Sequence, residues 1–347
     1  MEAKVMDGTN RRLVLAERPE GAIDDRTFDL VEEPFRELAD GEYRVRNIYL
    51  SVDPTQRIWI REQASYLPPV GIGEVMRSGA MGEVVESRNA EVPVGAFVTG
   101  LLGWQEYPHC GGADGLGGNV IPPGLPLRKM MGVLGATGIT AYFGMLDIGK
   151  PQPGETVVVS GAAGATGSVA AQIAKIQGAR VIGIAGSEEK CAWLVEECGL
   201  DAVINYKTED IPERLDALCP DGIDVFFDNV GGTTLDQVLA RIAIGARIVL
   251  CGAISTYNAT ELPPPLYFTM NLVIQRGLMQ GFIVLDYLER FPEAVMALAG
   301  WEAEGKIAWR DQVVEGLERA PEALNMLFAG ENSGKLLVQL APDPTAP

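Results

Sequence analysis

The run VVVSGAAGATGS, residues 157–168, decides the fold of this chain. Its first residues are β-branched and apolar without alternation, which predicts a parallel strand buried on both faces. Gly164 and Gly167 hold the second and third glycine positions of a G-x-G-x-x-G pattern, and Ala162 holds the first. In such a turn the middle glycine lets the backbone approach a pyrophosphate, and the helix that follows offers free N–H groups. The run therefore predicts a dinucleotide site.

Segments after this turn continue to alternate between strand and helix patterns. Strands are predicted at residues 180–186, 202–206, 223–227 and 246–251, and helices from 187 onward and at 208–218 and 233–242. This alternation predicts a doubly wound parallel sheet of the α/β class. Ligands of such sheets bind at the carboxyl ends of the strands. We therefore expect Gly164, Ser187, Asn229 and Ala253 to face one crevice.

The end of the second strand indicates which dinucleotide binds. NAD sites usually place an Asp or Glu there to accept hydrogen bonds from the ribose 2′-hydroxyl. This chain has Gly186 and Ser187 instead, with Lys190 one turn further on. A hydroxyl, a helix N-terminus and an ammonium attract a 2′-phosphate that a carboxylate would repel. The sequence predicts NADP(H), although Lys190 could also be one charge on a solvated helix face.

The rest of the chain predicts a discontinuous second domain. Residues 1–128 contain short apolar runs punctuated by Gly and Pro, which favour a β-rich, barrel-like domain. Residues 129–298 are predicted to form the nucleotide-binding domain. Strict alternation ends after residue 284, and the C-terminal residues 299–347 are expected to rejoin the first domain.

Composition excludes several function classes. The 347 residues suffice for two cores, and the net charge of −19 argues against nucleic acid or an anionic membrane as a partner. No apolar run approaches the roughly 18 residues that cross a bilayer, and residues 1–7 lack the apolar core of a secretion signal. We expect a cytoplasmic enzyme, and the acidic balance leaves a halophilic origin open.

Metal chemistry is not expected. The cysteines show no paired C-x-x-C spacing, and the sole histidine, His109, lies in a glycine-rich loop without an evident partner. We interpret the thiols as reduced and mostly structural, and we predict no metal site. The cysteines are Cys110, Cys191, Cys198, Cys219 and Cys251.

Several motifs together carry a family resemblance. They are AAGATG at 162–167, GSEEK at 186–190, NYK at 205–207, DNVGG at 228–232, CGAISTYN at 251–258 and GENSGK at 330–335. Their order resembles the zinc-independent medium-chain dehydrogenase/reductases of the prostaglandin reductase, alkenal double-bond reductase and curcumin reductase group. The resemblance implies a Rossmann domain with a GroES-like β-rich domain, a homodimer, and NADPH-dependent reduction of the carbon–carbon double bond of α,β-unsaturated ketones and aldehydes.

The same resemblance implies roles for individual residues. Pyrophosphate contacts are implied for Gly164, Ala165, Thr166 and Gly167, and contacts around the 2′-phosphate for Gly186, Ser187, Lys190 and Tyr206. Ribose and nicotinamide contacts are implied for Asn229, Cys251, Gly252, Ala253, Ile254, Ser255, Thr256, Phe282, Ile283, Val284 and Asn332. Structural alternatives remain open for Tyr206, Asn229 and Asn332, which are also common in strand ends, turns and loops.

Tyr257 is the catalytic candidate, because it matches the family tyrosine beside the nicotinamide ribose. A phenol donates a hydrogen bond to a developing oxyanion or protonates the enol. The alternative is a tyrosine that only hydrogen-bonds within its loop. The chain departs from the family at Thr55 and Gln56, where an aromatic residue and its neighbour usually stand. Trp59, Tyr66 and Trp104 are the aromatic residues that could replace it, and the equal alternative is that they belong to the core.

Three functions follow from these observations. The leading one is an NADPH-dependent reductase of a small hydrophobic enone or enal. The second is an NADPH-dependent quinone oxidoreductase of the same superfamily. The third is an NADPH-binding protein without turnover, against which the intact Tyr257 argues. The natural substrate and its stereochemistry are not encoded in these motifs.

Overall fold

The computed structural model describes residues 8–63, 65–112 and 116–346. Its strands are β1 (Thr9–Leu15), β2 (Phe28–Pro34), β3 (Glu42–Ser51), β4 (Ala80–Ser87), β5 (Phe97–Gly100), β6 (His109–Gly111), β7 (Gly118–Val120), β8 (Thr156–Ser160), β9 (Arg180–Ala185), β10 (Ala202–Asn205), β11 (Ile223–Asp228), β12 (Ile242–Leu250), β13 (Leu278–Gly281), β14 (Asp311–Glu315) and β15 (Lys335–Gln339).

Its α-helices are α1 (Gln56–Trp59), α2 (Leu127–Met131), α3 (Ala136–Phe143), α4 (Ala165–Ile176), α5 (Glu188–Glu196), α6 (Ile211–Leu218), α7 (Gly232–Leu239), α8 (Met270–Ile274), α9 (Phe291–Ala303) and α10 (Ala320–Ala329). Short 3₁₀ or π segments lie at Gly144–Gly149, Ile254–Thr256, Val284–Arg290 and Leu317–Arg319. In the described ranges no helix is long and apolar enough to cross a bilayer.

Two compact units divide the chain. The first runs to Met131 and takes in Gln312–Glu331 and the chain from Leu336 onward. The second contains Gly132–Asp311 and Asn332–Lys335. Each unit is therefore assembled from separate parts of the sequence.

These limits differ from the predicted ones at the C-terminal side, where 299–311 and 332–335 group with the second unit. One reason is that α9 packs against α3 of the same unit. Another is a two-way hydrogen bond, in which the Gln172 side chain donates to the Ala308 carbonyl at 2.8 Å and accepts from its N–H at 2.7 Å. These contacts keep the chain with the second unit as far as Asp311.

The second unit contains a six-stranded sheet in the order β10-β9-β8-β11-β12-β13, and its adjacent strands are parallel. Val157, Val158 and Val159 of β8 are fully buried, as the unbroken apolar run predicts for a strand covered on both faces. In this order the direction of strand progression reverses between β8 and β11. That reversal is the point at which doubly wound sheets bind dinucleotides.

The first unit is β-rich. Its larger sheet has the order β14-β15-β3-β4-β5-β7, with β6 also paired to β3, and β1 and β2 form a separate antiparallel pair. Val45, Leu50 and Trp104 are fully buried in its core. The predicted fold class, a Rossmann domain with a GroES-like β-rich domain, is confirmed.

Candidate active site

The glycine-rich turn joins β8 to α4. Gly161 has φ +57°, a left-handed conformation that glycine adopts without strain. A Cβ on Gly167 would lie 2.3 Å from the Gly161 carbonyl oxygen, so only glycine permits this close packing. Gly164 is the N-cap of α4, and Ala165 and Thr166 form its first turn. The N–H groups of such a first turn have no partner within the helix, which makes them available to a phosphate.

A second loop of the same unit reaches this turn. The Gly334 N–H donates to the Ala163 carbonyl at 3.2 Å, and Gly334 forms a parallel bridge with Gly164. The Asn332 side chain donates to the Gly334 carbonyl at 3.0 Å. The structure thus brings Asn332 next to the glycine-rich turn, although 168 residues separate it from Gly164 in the sequence.

The residues predicted for the 2′-phosphate lie together at the end of β9. The Ser187 hydroxyl caps α5 by accepting from the Lys190 N–H at 3.3 Å. The Tyr206 ring lies so close to Gly186 that a Cβ there would come within 2.7 Å of it. Burial and the charge of Lys207 lower the pKa of Lys190. Two ammonium groups therefore approach the same place, which suits a doubly charged phosphate.

Lys207 is a residue that the sequence reasoning missed. The only signal was its position directly after Tyr206 in the NYK motif, where it reads as a solvated charge. Acids also lie nearby. The Asn205 side chain donates to Glu188 at 2.8 Å, and Glu189, whose charge acts to raise the pKa of Lys190, also lies 3.5 Å from Arg310. This corner fits the 2′-phosphate of NADP(H) better than a bare ribose.

The segment that follows β12 is fastened to the end of β11. Five main-chain or hydroxyl donors of this segment bond to three successive carbonyls. The bonds are Cys251 N and Gly252 N to Asp228 O (2.9 and 3.0 Å), Ile254 N to Asn229 O (3.2 Å), and Ser255 N and Oγ to Val230 O (3.1 and 2.7 Å). These bonds bring Asn229 and the predicted nicotinamide residues together.

Tyr257 ends this segment, and its hydroxyl is turned back onto it. The hydroxyl oxygen accepts a hydrogen bond from the Ala253 N–H at 3.0 Å. The Thr256 N–H and hydroxyl both donate to the Ala253 carbonyl, at 2.8 and 2.9 Å. The Tyr257 hydroxyl therefore does hydrogen-bond within its own loop, as the alternative interpretation proposed. A phenol that accepts one hydrogen bond retains its own O–H as a donor, so the loop contact and a catalytic role are compatible.

Phe282, Ile283 and Val284 follow β13 and reach the carboxyl edge of the sheet with the other strand ends. The Phe282 ring packs on Gly144, where a Cβ would come within 2.6 Å of it, and lies edge-on to Tyr287. Its side chain is thus a packing element. A cofactor contact in this stretch would use its main chain or the two residues after it.

The thiols are held in their protonated form. Burial, with the nearby Asp228 carboxyl, raises the pKa of Cys251 to about 12, and burial raises that of Cys110 to about 12 as well. A thiolate is the form that attacks or binds metals, so these cysteines are unreactive at neutral pH. In the described part of the chain, no group of three or more His, Cys, Asp or Glu residues could hold a metal ion.

His109 has a structural environment in the first unit. Its Nε2 lies 2.8 Å from Nη1 of Arg44, a fully buried residue that also pairs with Glu86 at 3.0 Å. Since a guanidinium cannot accept, His109 must be the acceptor, which requires a neutral ring. Burial and the charge of Arg44 lower the pKa of His109 below its usual 6.5. The histidine serves to satisfy a buried arginine.

This environment predicts a pH-dependent stability. Below about pH 6.5 the unfolded chain binds a proton at His109 that the folded chain resists, so stability should decrease as the pH falls toward the lowered pKa. His109→Gln keeps an acceptor for Arg44 and should remove this component. Urea unfolding of both proteins at pH 7.5 and 5.5 measures it. An identical loss of stability in both would show that His109 does not titrate as described.

Of the two residues that differ from the family pattern, Thr55 and Gln56, the second has a structural role. Gln56 is fully buried, and its side chain makes two main-chain hydrogen bonds. The Thr55 hydroxyl bonds to the Tyr66 hydroxyl, and Tyr66 is 41% exposed. Trp104 and Trp59 are buried in the core of the unit. Of the three aromatic residues considered as replacements, Tyr66 is therefore the one at the surface next to Thr55.

A doubly wound sheet, a glycine-rich turn at its switch point and a basic corner at the second strand end define a dinucleotide-dependent oxidoreductase. Two family models agree with the two parts of the chain. The model described as the N-terminal domain of oxidoreductase matches residues 11–116, and the one described as zinc-binding dehydrogenase matches residues 165–300.

Curated relatives cover almost the whole chain. The NADPH-dependent curcumin reductase of Escherichia coli is 42% identical over 96% of this chain and 98% of its own length. Prostaglandin reductase 1 of Rattus norvegicus is 39% identical over 92% of this chain and 96% of its own. The chain belongs to the medium-chain dehydrogenase/reductases, in the group that contains these two reductases. The predicted family is thus confirmed.

Solved structures agree with this assignment. The structure of CurA from Vibrio vulnificus in complex with NADPH has a TM-score of 0.90 and 44% identity, and the match covers 96% of this chain and 99% of that one. The Escherichia coli quinone oxidoreductase, also solved with NADPH, has a TM-score of 0.75 at 22% identity. The second likeness concerns the fold alone.

Proposed function

We propose that this protein reduces the carbon–carbon double bond of α,β-unsaturated ketones or aldehydes with NADPH. The observation that carries the proposal is the Tyr257 hydroxyl, which is held by the Ala253 N–H on a segment fastened to the Asn229 turn. It places a hydroxyl donor at the same sheet edge as the glycine-rich turn. The relatives named as curcumin and prostaglandin reductases support the proposal.

The cofactor is NADP(H), and it supplies the hydride when bound. The glycine-rich turn that ends in Gly167 would hold the pyrophosphate with the first N–H groups of α4. Lys190, Lys207 and Tyr206 would hold the 2′-phosphate, and Asn229 with the segment after β12 would lie along the ribose and nicotinamide. These roles rest on the placement of the residues at one edge of the sheet.

Tyr257 would act on the substrate oxygen. Hydride addition to the β-carbon moves an electron pair of the double bond toward the carbonyl, and an enolate forms. A hydrogen bond from the Tyr257 hydroxyl stabilises the charge on that oxygen. The α-carbon then takes a proton, either from water or from the Tyr257 hydroxyl, which regains its proton from solvent, and the saturated product leaves. The O–H of the phenol is the donor in this step.

Product analysis tests the reaction. Under anaerobic conditions, a panel of enones, enals and quinones is offered with NADPH whose transferable hydrogen is deuterium. We expect saturated ketones and aldehydes with deuterium at the β-carbon, and solvent hydrogen at the α-carbon. Hydroquinone formation without turnover of enones would identify a quinone oxidoreductase instead. Cofactor binding without oxidation of NADPH by any member of the panel would indicate a binding protein.

We also propose that the second unit pairs with a second copy of this chain. β13 is the last strand of its sheet, and such an edge pairs readily with an identical strand about a two-fold axis. Large exposed apolar side chains lie in the stretch that precedes β13 in the sequence: Leu262 (95% exposed), Tyr267 (72%), Met270 (63%), Val273 (70%) and Ile274 (57%). Exposed apolar groups in this number are typical of an interface.

Light scattering after size exclusion tests the dimer. The wild type should elute with the mass of two chains, and Val273→Asp should shift it toward one chain because a carboxylate would be buried in the interface. Val94→Asp introduces the same charge at an apolar residue of the first unit that is 62% exposed, and it should leave the dimer intact. A monomeric wild type would contradict the proposal. Zinc independence and a cytoplasmic location stay predictions.

A further inference from the structure

A buried carboxyl group lies beneath the site, and neither cofactor nor substrate chemistry has been assigned to it. Asp228, the last residue of β11, is fully buried. Its oxygens accept from the Ser160 hydroxyl at 2.7 Å and from the N–H groups of Val230 and Gly231 at 3.0 Å. All of these partners are donors, as an ionised carboxylate requires. The network joins the tips of β8 and β11 at the switch point of the sheet.

Ser160 completes this network from the neighbouring strand. Besides donating to Asp228, its hydroxyl accepts from the Asn229 N–H at 2.9 Å, and its carbonyl accepts from the Asn229 side chain at 2.7 Å. Ser160 is itself fully buried. The two side chains therefore fix the whole turn from Asp228 to Gly231.

Burying the Asp228 carboxylate has a free-energy cost. Burial raises the pKa of Asp228, because removing a carboxylate from water disfavours its charge. In the described part of the chain, Asp228 has no salt bridge that would offset this cost. The hydrogen bonds from Ser160, Val230 and Gly231 favour its charge instead. Buried polar networks of this kind are commonly found where they organise a functional site.

The turn that Asp228 fixes is the same turn that holds the Tyr257 segment. Its three carbonyls, from Asp228 to Val230, receive the donors of residues 251–255. The next bond along this path is the one from the Ala253 N–H to the Tyr257 hydroxyl. Hydrogen bonds and the short stretches of backbone between them therefore connect the buried carboxylate to the phenol.

We propose that Asp228 and Ser160 are positioning residues for Tyr257. They hold the 228–231 turn at one place, the turn holds residues 251–255, and Ala253 aims the hydroxyl of Tyr257. The kinetic part of this inference rests on the proposed role of Tyr257 in double-bond reduction. The structural part concerns the chain alone and can be tested without cofactor.

Amide hydrogen exchange of the cofactor-free protein tests the structural part. Asp228→Asn places an NH₂ group against N–H donors. Ser160→Ala is the milder change, because it removes one hydroxyl that donates to Asp228 and accepts from the Asn229 N–H. Both should accelerate exchange of the amides at 251–255 by about tenfold or more, since local opening would free them. Asp224→Asn is the matched control, because Asp224 lies at the other end of β11 and accepts from the Thr156 N–H at 2.8 Å. It should leave exchange at 251–255 unchanged.

Kinetics test the connection to Tyr257. In the wild-type background, at saturating NADPH, Ser160→Ala and Asp228→Asn should lower kcat about 10- to 100-fold, the cost of a misplaced catalytic group. The KM for NADPH should rise as well, because the same turn carries Asn229. In the Tyr257→Phe background the same changes should have almost no further effect on kcat, because the hydroxyl they position is absent.

The outcomes separate the two ideas. Unchanged exchange at 251–255 in both variants would overturn the positioning role, whatever Tyr257 does. Equal losses of kcat with and without the Tyr257 hydroxyl would show that Asp228 and Ser160 do not act through it, and would also overturn the proposal. Full activity of Tyr257→Phe would instead overturn the proposed chemistry, while faster exchange would still confirm that the carboxylate holds the segment.

Discussion

Tyr257→Phe is expected to lower kcat by about 10²–10³, the usual cost of removing one donor to a developing oxyanion. The ring is kept, so packing and the affinity for NADPH should hardly change. The hydroxyl also accepts the Ala253 N–H, and its loss leaves that donor to water or to the cofactor. Pre-steady-state oxidation of NADPH and of its deuterated form, at saturating enone, reports the hydride-transfer step itself.

Tyr142→Phe is the matched control for this experiment. Tyr142 belongs to the same unit, and its hydroxyl donates to Glu293 at 3.0 Å on the α3 and α9 side. Its loss should lower the Tm without lowering kcat. If Tyr257→Phe retains the wild-type rate of hydride transfer, Tyr257 is not the electrophilic donor. The cofactor assignment would survive that result, but the mechanism would not.

Most strands of the second unit were predictable because two sequence signals identify them, their composition and the residues that bound them. The predicted strands are mostly apolar and rich in β-branched or aromatic residues, and several are bounded by a glycine or are followed by a helix N-cap such as Ser187 or Asp210. β13 escaped prediction for a physical reason. Leu278–Gly281 has only four residues, and its strand conformation comes from pairing with β12, from Arg247 opposite Leu278 to Leu250 opposite Gly281. That contact spans about 30 residues and leaves no local pattern.

The site was predictable where glycines or polar residues end a strand, because parallel strands end at the same edge. Asn332 could be placed only by resemblance, since the bridge from Gly334 to the glycine-rich turn is a long-range contact. Asp228 was visible in the DNVGG motif, but no role could be assigned to it. The sequence does not show whether an acid at a strand end faces a ligand or the protein interior. Only the structure shows that it points inward to Ser160.

Lys190→Ala is expected to weaken NADPH binding by about 1.5–3 kcal/mol, the range for a hydrogen bond to a charged group. This corresponds to about 10- to 150-fold in Kd. NADH lacks the 2′-phosphate, so its affinity should hardly change. Lys207→Ala should have the same sign, because Lys207 lies close enough to lower the pKa of Lys190. Fluorescence titration of the wild type and of both variants with NADPH and NADH measures the six affinities.

The lowered pKa of Lys190 adds a pH dependence with a definite sign. The side chain of Lys190 attracts the 2′-phosphate only while it is protonated. The preference for NADPH over NADH should therefore decline as the pH rises toward the lowered pKa, and at a lower pH than for an ordinary lysine. Lys207→Ala removes the neighbouring charge and should move this decline to higher pH. Lys175→Ala is the matched control, since Lys175 pairs with Asp201 at 2.8 Å at the far end of α4. Equal weakening of NADPH and NADH in Lys190→Ala would exclude a contact with the 2′-phosphate and leave Lys190 as a charge on a solvated helix.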